Sequence, residues 1–186
     1  CDEPIDLGYG HSKAQCEEHG RLRIYGEHIA RVARIALDLG RIPQFWVDSE
    51  LSNQCDQLPE FPRELTGLVW GYSNQTDFNT RVRNMIEREH EAWVAPGTNS
   101  WCSYTGRTAI RRSNFELAAA ARKLGATGFL ITEWGDLGHR QQWPITLLGM
   151  AEGAFTSWTG TVPQTAEAAG FHLFGDSAMG EWLAEL

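Results

Sequence analysis

The chain has 186 residues, 42% hydrophobic and 22% charged, enough apolar material for a domain with its own core. Its net charge of −8 excludes a nucleic-acid binder that works by displacing counterions from phosphates, and no apolar run is long enough to span a bilayer. The four cysteines, at 1, 16, 55 and 102, show no Cys-x-x-Cys spacing, so we read them as thiols, which favours a reducing, cytoplasmic setting.

The opening "CDEPIDLGYG" reads as the end of a strand followed by a loop. Residues 13–39 carry Leu22, Tyr25, Ile29, Val32, Ala36 and Leu39 at helical spacing, with Gly40 as the stop. "IPQFWVD" (42–48) and "LTGLVWGYS" (65–73) read as strands, each ending in loop-forming residues. Residues 77–90 place Phe78, Val82, Met85 and Ile86 on one helix face, and "EAWVAPG" (91–97) is the next strand. Residues 107–124 form a helix with a four-alanine run before Gly125, followed by the strand "TGFLITEWGD" (127–136). A helix over 144–158 follows, then a Gly/Pro-rich loop and a short final helix at 181–186.

Strands alternating with helices imply an α/β fold with a parallel sheet. A four-stranded open sheet would suit the pattern, and a (β/α)8 TIM barrel, which takes roughly 250 residues, fits it better. This chain would supply the end of strand 4 through strand 8. Residues 1–160 are then barrel, and 161–186 an extension whose final helix packs on it. Such a half exposes two sheet edges and an apolar inner face. The expected protein partner is the missing N-terminal half of the barrel or another copy.

Barrel active sites lie at the C-terminal strand ends. Those ends hold Asp2 and Glu3, Trp46 and Asp48, Trp70 and Tyr72, Trp101 just past the third run, and Glu133, Trp134 and Asp136. Eight tryptophans, several beside polar residues, suit the C–H faces of sugars. Adjacent carboxylates such as Asp2 and Glu3 suit glycosidic cleavage, which needs a proton donor and a stabiliser of positive charge. Asp136 and His139 alone are too few ligands for a metal, and no metal or cofactor is expected. "APGTNSWCSYTGR" (95–107) lacks the lysine of a phosphate loop, and no nucleophile elbow surrounds its serines.

Together "DEPIDLGYGHSK", "FWVD", "VWGY", "VAPGTNSWCSYTGR", "FLITEWGDLGH" and "PITLLGMAEGAFTSW" resemble the family 20 glycoside hydrolases, the β-N-acetylhexosaminidases, in their hexosaminidase D-like branch. The resemblance runs from residue 1 to about 158. It implies a TIM barrel and removal of terminal β-linked N-acetylglucosamine or N-acetylgalactosamine. It also implies retention through an oxazolinium formed by the substrate's own acetamide, an exception to the two-carboxylate scheme. By position, Asp2 would orient the acetamide and Glu3 would be general acid, then base. Tyr72 would hydrogen-bond the acetamide, and Glu133 would hold sugar hydroxyls. Trp46, Trp70 and Trp134 would form the aromatic wall. The family's Trp-x-Glu order is reversed here, since Trp134 follows Glu133. Two other readings stand beside it: a conventional retaining glycosidase using Glu3 and Glu133, and a non-catalytic carbohydrate-binding remnant.

Overall fold

The computed structural model describes residues 3–48, 60–101 and 103–186. Cys1, Asp2, Cys55 and Cys102 lie outside them, and Cys16 is a half-buried free thiol. The centre is a parallel sheet of β1 (Gln44–Val47), β2 (Thr66–Trp70), β3 (Ala92–Ala95) and β4 (Gly128–Phe129), side by side in chain order. This is the α/β, parallel-sheet architecture that the sequence pattern implies. Each step to a parallel neighbour needs a crossover. The β2–β3 crossover carries one helix and the β3–β4 crossover another.

Helices cover one face of the sheet. α1 (Lys13–His19) and α2 (Arg21–Asp38) precede β1, α3 (Phe78–Glu87) follows β2, and α4 (Thr108–Arg122) follows β3. Tyr25, Ile29 and Ala33 of α2, Phe78, Val82 and Met85 of α3, and Ala118 and Ala121 of α4 share one core cluster. From the sheet it takes Phe45 and Val47, Val69, Ala92 and Val94, with Phe129 packed against it. These are alternate strand positions, so they point to one side. Gly67 lies on that side because a Cβ there would meet Met85 Cε at 2.7 Å and Val47 Cγ2 at 2.9 Å.

The other side carries a cross-strand row of Trp46, Leu68, Trp93 and Gly128. A Cβ on Gly128 would lie 2.1 Å from Trp93 Cδ2, so the ring and the missing side chain fit each other. Trp46, Trp70 and Trp93 remain half-buried on this side. At the N-terminal edge Glu91 accepts from Thr66 Oγ1 (3.2 Å), Trp93 Nε1 (3.2 Å) and Thr127 Oγ1, tying three strands together. These donors hold its carboxyl below the ordinary glutamate range, the Thr127 bond foremost.

Several boundaries differ from the sequence expectation. The helix over 13–39 is two helices, broken at Gly20 (φ 86°, ψ 140°), a backbone state no helix accommodates. The strand expected over 127–136 is regular only at Gly128–Phe129. Its hydrogen bonds continue, from Leu130 N to Val94 O and from Thr132 N to Pro96 O. Pro96 has no N–H to return to the β4 side, so the ladder is interrupted there and resumes beyond it, where Thr98 N donates to Thr132 O at 3.0 Å.

α5 (Trp143–Thr159) packs beside α4 and ends at Gly160 (φ 74°). The Gly/Pro-rich loop expected after it contains a helix, α6 (Glu167–Phe174), and the last helix, α7, spans Ser177–Ala184 rather than 181–186. α6 and α7 close on α5 through Ile145, Leu148, Ala166 and Leu183. Between α4 and α5 lies a buried charge cluster. Arg111 Nη2 meets Glu152 Oε2 at 2.7 Å and Arg112 Nε meets Glu152 Oε1 at 2.9 Å, with Arg111 Nη1 donating to Gly106 O at 2.7 Å.

Candidate functional site

The C-terminal edge of the sheet gathers five of the rings that the sequence singles out. Trp46 meets Trp134 edge-on with centroids 5.7 Å apart. Trp134 Nε1 donates to the Tyr72 hydroxyl at 2.9 Å. Tyr72 lies 5.3 Å from Trp70 at a shallow tilt and 5.0 Å from Trp101 edge-on. Gly97 makes this possible, because a Cβ there would meet Trp101 Cη2 at 2.5 Å and Tyr72 Cδ1 at 2.8 Å. Trp101 is buried, at 6% exposure, so it supports Tyr72 instead of presenting a platform of its own.

Two residues that sequence reasoning passed over hold this edge in place. Asn114, fully buried on α4, donates Nδ2 to Ser73 O (2.9 Å) and accepts at Oδ1 from Gly97 N (3.3 Å). It therefore joins the loop after β2 to the loop after β3. A signal for it existed, since Asn114 falls on the apolar stripe with Ala118 and Ala121, where a polar side chain needs partners. Arg81 on α3 donates to Val47 O and Trp70 O, the last carbonyls of β1 and β2, and lies 5.7 Å from the Trp70 ring centroid. Burial lowers its pKa, opposed by the nearby charges of Asp48 and Asp77. A cavity of 680 Å³ opens here, lined by Trp70, Tyr72, Ser73, Thr76, Asp77 and Arg81.

Glu133 turns into a polar nest beside the rings. Its carboxylate Oε2 accepts from Thr98 Oγ1 and from Ser100 Oγ (3.1 Å), and Oε1 from Gln141 Nε2 (2.7 Å). His139 Nε2 stands 3.0 Å from Oε1. Thr98, Asn99 and Ser100 are all buried, unusual for a loop, and Asn99 holds a left-handed backbone (φ 64°). Asn99 Nδ2 and Trp70 Nε1 are buried donors without a partner among the described residues, the kind of departure that concentrates at functional sites. Nothing in the sequence marked Gln141 for this role.

The remaining candidates lie elsewhere. Asp2 is outside the described residues. Glu3 is exposed in a non-strand turn at φ 44°, and nothing described joins it to the aromatic edge. The turn is fastened to α2 by Arg21 Nη2 donating to Pro4 O at 2.6 Å. Asp136 is exposed at the start of a 3-10 turn, and Asp48 is half-buried after β1. Among the described residues no three His, Cys, Asp or Glu side chains come together as a metal site, and no helix is long and apolar enough to cross a membrane.

Comparison with known proteins adds no assignment: no family model matches the chain, and no curated protein is detectably similar to it.

Proposed function

We propose that this chain is the C-terminal half of a (β/α)8-barrel glycosidase of the family 20 type, removing terminal β-linked N-acetylhexosamine with retention. The observation that carries the reading is the aromatic edge of Trp46, Trp70, Tyr72 and Trp134 beside the Glu133 carboxylate. It combines apolar rings for a pyranose face with a polar group for its hydroxyls. The parallel strands in chain order, the helices on one face and the half-buried tryptophans on the other agree with a barrel segment seen from inside.

In this reading the exposed Glu3, which no described contact joins to the aromatic edge, comes to that edge when the barrel is complete. There it protonates the glycosidic oxygen while the acetamide oxygen attacks the anomeric carbon. Asp2 holds the acetamide N–H as positive charge develops. Glu3 then takes a proton from the water that opens the oxazolinium. Tyr72, oriented by the Trp134 donor, reaches the acetamide. The conventional alternative needs Glu133 to attack the sugar directly, and a carboxylate already holding hydroxyl, amide and imidazole neighbours is badly placed for that.

The test is release of p-nitrophenol from N-acetyl-β-glucosaminide and N-acetyl-β-galactosaminide by the full-length protein. Glu3→Gln is expected to lower kcat by roughly 10²–10⁴ while sugar binding persists. Asp2→Asn should slow only substrates that bear the 2-acetamido group. Unchanged turnover in Glu3→Gln would remove Glu3 from the mechanism.

A further inference from the structure

We infer that the exposed face of α5 is an interface on which two copies of this chain pair, their α5 helices antiparallel about a two-fold axis. This pairing stands apart from the sugar-binding reading of Glu133.

α5 is built inside out. Its buried side holds Thr146, Gly149, Glu152, Gly153 and Thr156 beside Ile145 and Leu148. The polar and small residues have work there. Glu152 serves Arg111 and Arg112, Gly149 makes room for Thr98 and the Arg111 side chain, and Gly153 for Ile131 and Phe115. The opposite side is apolar and exposed. Trp143 (64%), Leu147 (38%), Met150 (38%), Ala154 and Trp158 (91%) recur at steps of three and four. They therefore stand within about a quarter of the helix circumference. The one charged side chain of α5 is Glu152, on the buried side. A surface helix normally places these two kinds of residue the other way round.

The stripe has the size of an interface. A tryptophan offers up to about 250 Å², so Trp143 and Trp158 alone leave roughly 400 Å² bare at these exposures. A standard interface takes about 800 Å² from each partner. Leu147, Met150, Ala154 and the flanking Phe155, itself 45% exposed, add towards that. Monomers seldom expose a contiguous apolar patch so large.

The order of residues along the stripe names the partner. A two-fold axis brings residue i of one copy to residue j of the other, and j to i. An axis centred between Met150 and Ala151 sets Trp143 opposite Trp158, Leu147 opposite Ala154, and Met150 opposite the half-buried Ala151. A large side chain meets a small one at both inner pairs, and tryptophans close both ends. Helices crossing at about 20° stay in contact over such a length. Charge agrees. The stripe offers a charged partner nothing to pair with, and it brings no like charges together although each copy carries −8. A lipid surface fits less well, because α5 has no lysine or arginine to meet headgroups.

The test is sedimentation velocity of the full-length protein over a dilution series. The expected mass is that of two copies and no more, since two-fold pairing closes on itself. Trp158→Glu is expected to raise the dissociation constant roughly 10²- to 10³-fold, because an aromatic anchor is lost on both sides of the axis. Its circular dichroism should stay unchanged, because a ring 91% exposed takes almost no part in the fold. Leu147→Lys and Ala154→Glu test the direction of pairing. Each alone is expected to weaken the dimer. An equal mixture should recover it, since the introduced ammonium then faces the introduced carboxylate while the other Leu147–Ala154 contact stays native. No recovery in the mixture overturns the antiparallel pairing. A dissociation constant unmoved by Trp158→Glu, or association beyond two copies, overturns the interface. So does a monomer at every concentration, and one that Trp158→Glu destabilises would show that the stripe seats another part of the same chain.

Discussion

Glu152 shows how much one side chain can hold. It is 1% exposed, and its two oxygens serve Arg111 and Arg112 from the neighbouring helix. Arg111 is also fully buried, so its guanidinium has no route to water if the carboxylate goes. Breaking a buried pair from one side costs about 3–5 kcal/mol, because the surviving charge is stranded. Glu152→Gln is therefore expected to lower the urea midpoint by a corresponding amount, with the slope unchanged. A shift near zero would mean that water reaches Arg111. At this scale the sequence was only partly legible. The rings at strand ends announced themselves, since aromatic residues next to Gly and Asp stand apart from apolar runs. Arg81 and Gln141 did not, because their roles are reaches of a long side chain to groups distant in the chain, Val47 in one case and Ser100 in the other.

Among the elements, α6 and α7 meet as closely as backbones allow. A Cβ on Gly180 would lie 2.1 Å from Ala166 O and 2.8 Å from Gly170 N, and one on Gly170 would lie 2.5 Å from Gly180 N. Both neighbours are main chain and cannot rotate away. Gly180→Ala must push the helices apart, and overpacking of this kind typically costs about 1–3 kcal/mol. Hydrogen exchange is the sharper readout: protection in 167–184 should fall while that of β2 and β3 stays unchanged. Equal loss everywhere would mean that the pair is not an independent unit. The same glycines explain why α6 was read as a loop. In isolation Gly170 looks like a breaker, yet it is the contact that lets α7 approach. Gly20 is the converse. The apolar spacing begins only at Leu22, and the sequence reading joins the residues before Gly20 to that helix although the glycine's backbone breaks it. Long apolar periods gave the four strands and the main helices, whereas positions chosen for clearance rather than propensity misled the reading.

At the level of the whole molecule, a large apolar surface stands uncovered. On α5 Trp143 is 64% and Trp158 is 91% exposed, and Trp182 on α7 is 58% exposed. An apolar helix is normally enclosed by its neighbours. The side of the sheet away from the helices adds Trp46 and Trp93, and the free edge of β1 has no strand beside it among the described residues. If the proposal of a barrel segment holds, these sheet surfaces belong against the complementary strands. The 186-residue chain by itself is then expected to self-associate, its average mass in sedimentation equilibrium rising with concentration. A monomer at every concentration, unfolding in one cooperative step, would weigh heavily against the half-barrel reading.

The order of the strands has one more consequence, for how the molecule is made. Each strand pairs with the one completed just before it, and the pair is joined by the segment in between. Among the described strands, loop closure therefore spans a single crossover at each step. The sheet can grow by addition at its β4 side while the chain leaves the ribosome, each new strand finding a finished edge ready to receive it.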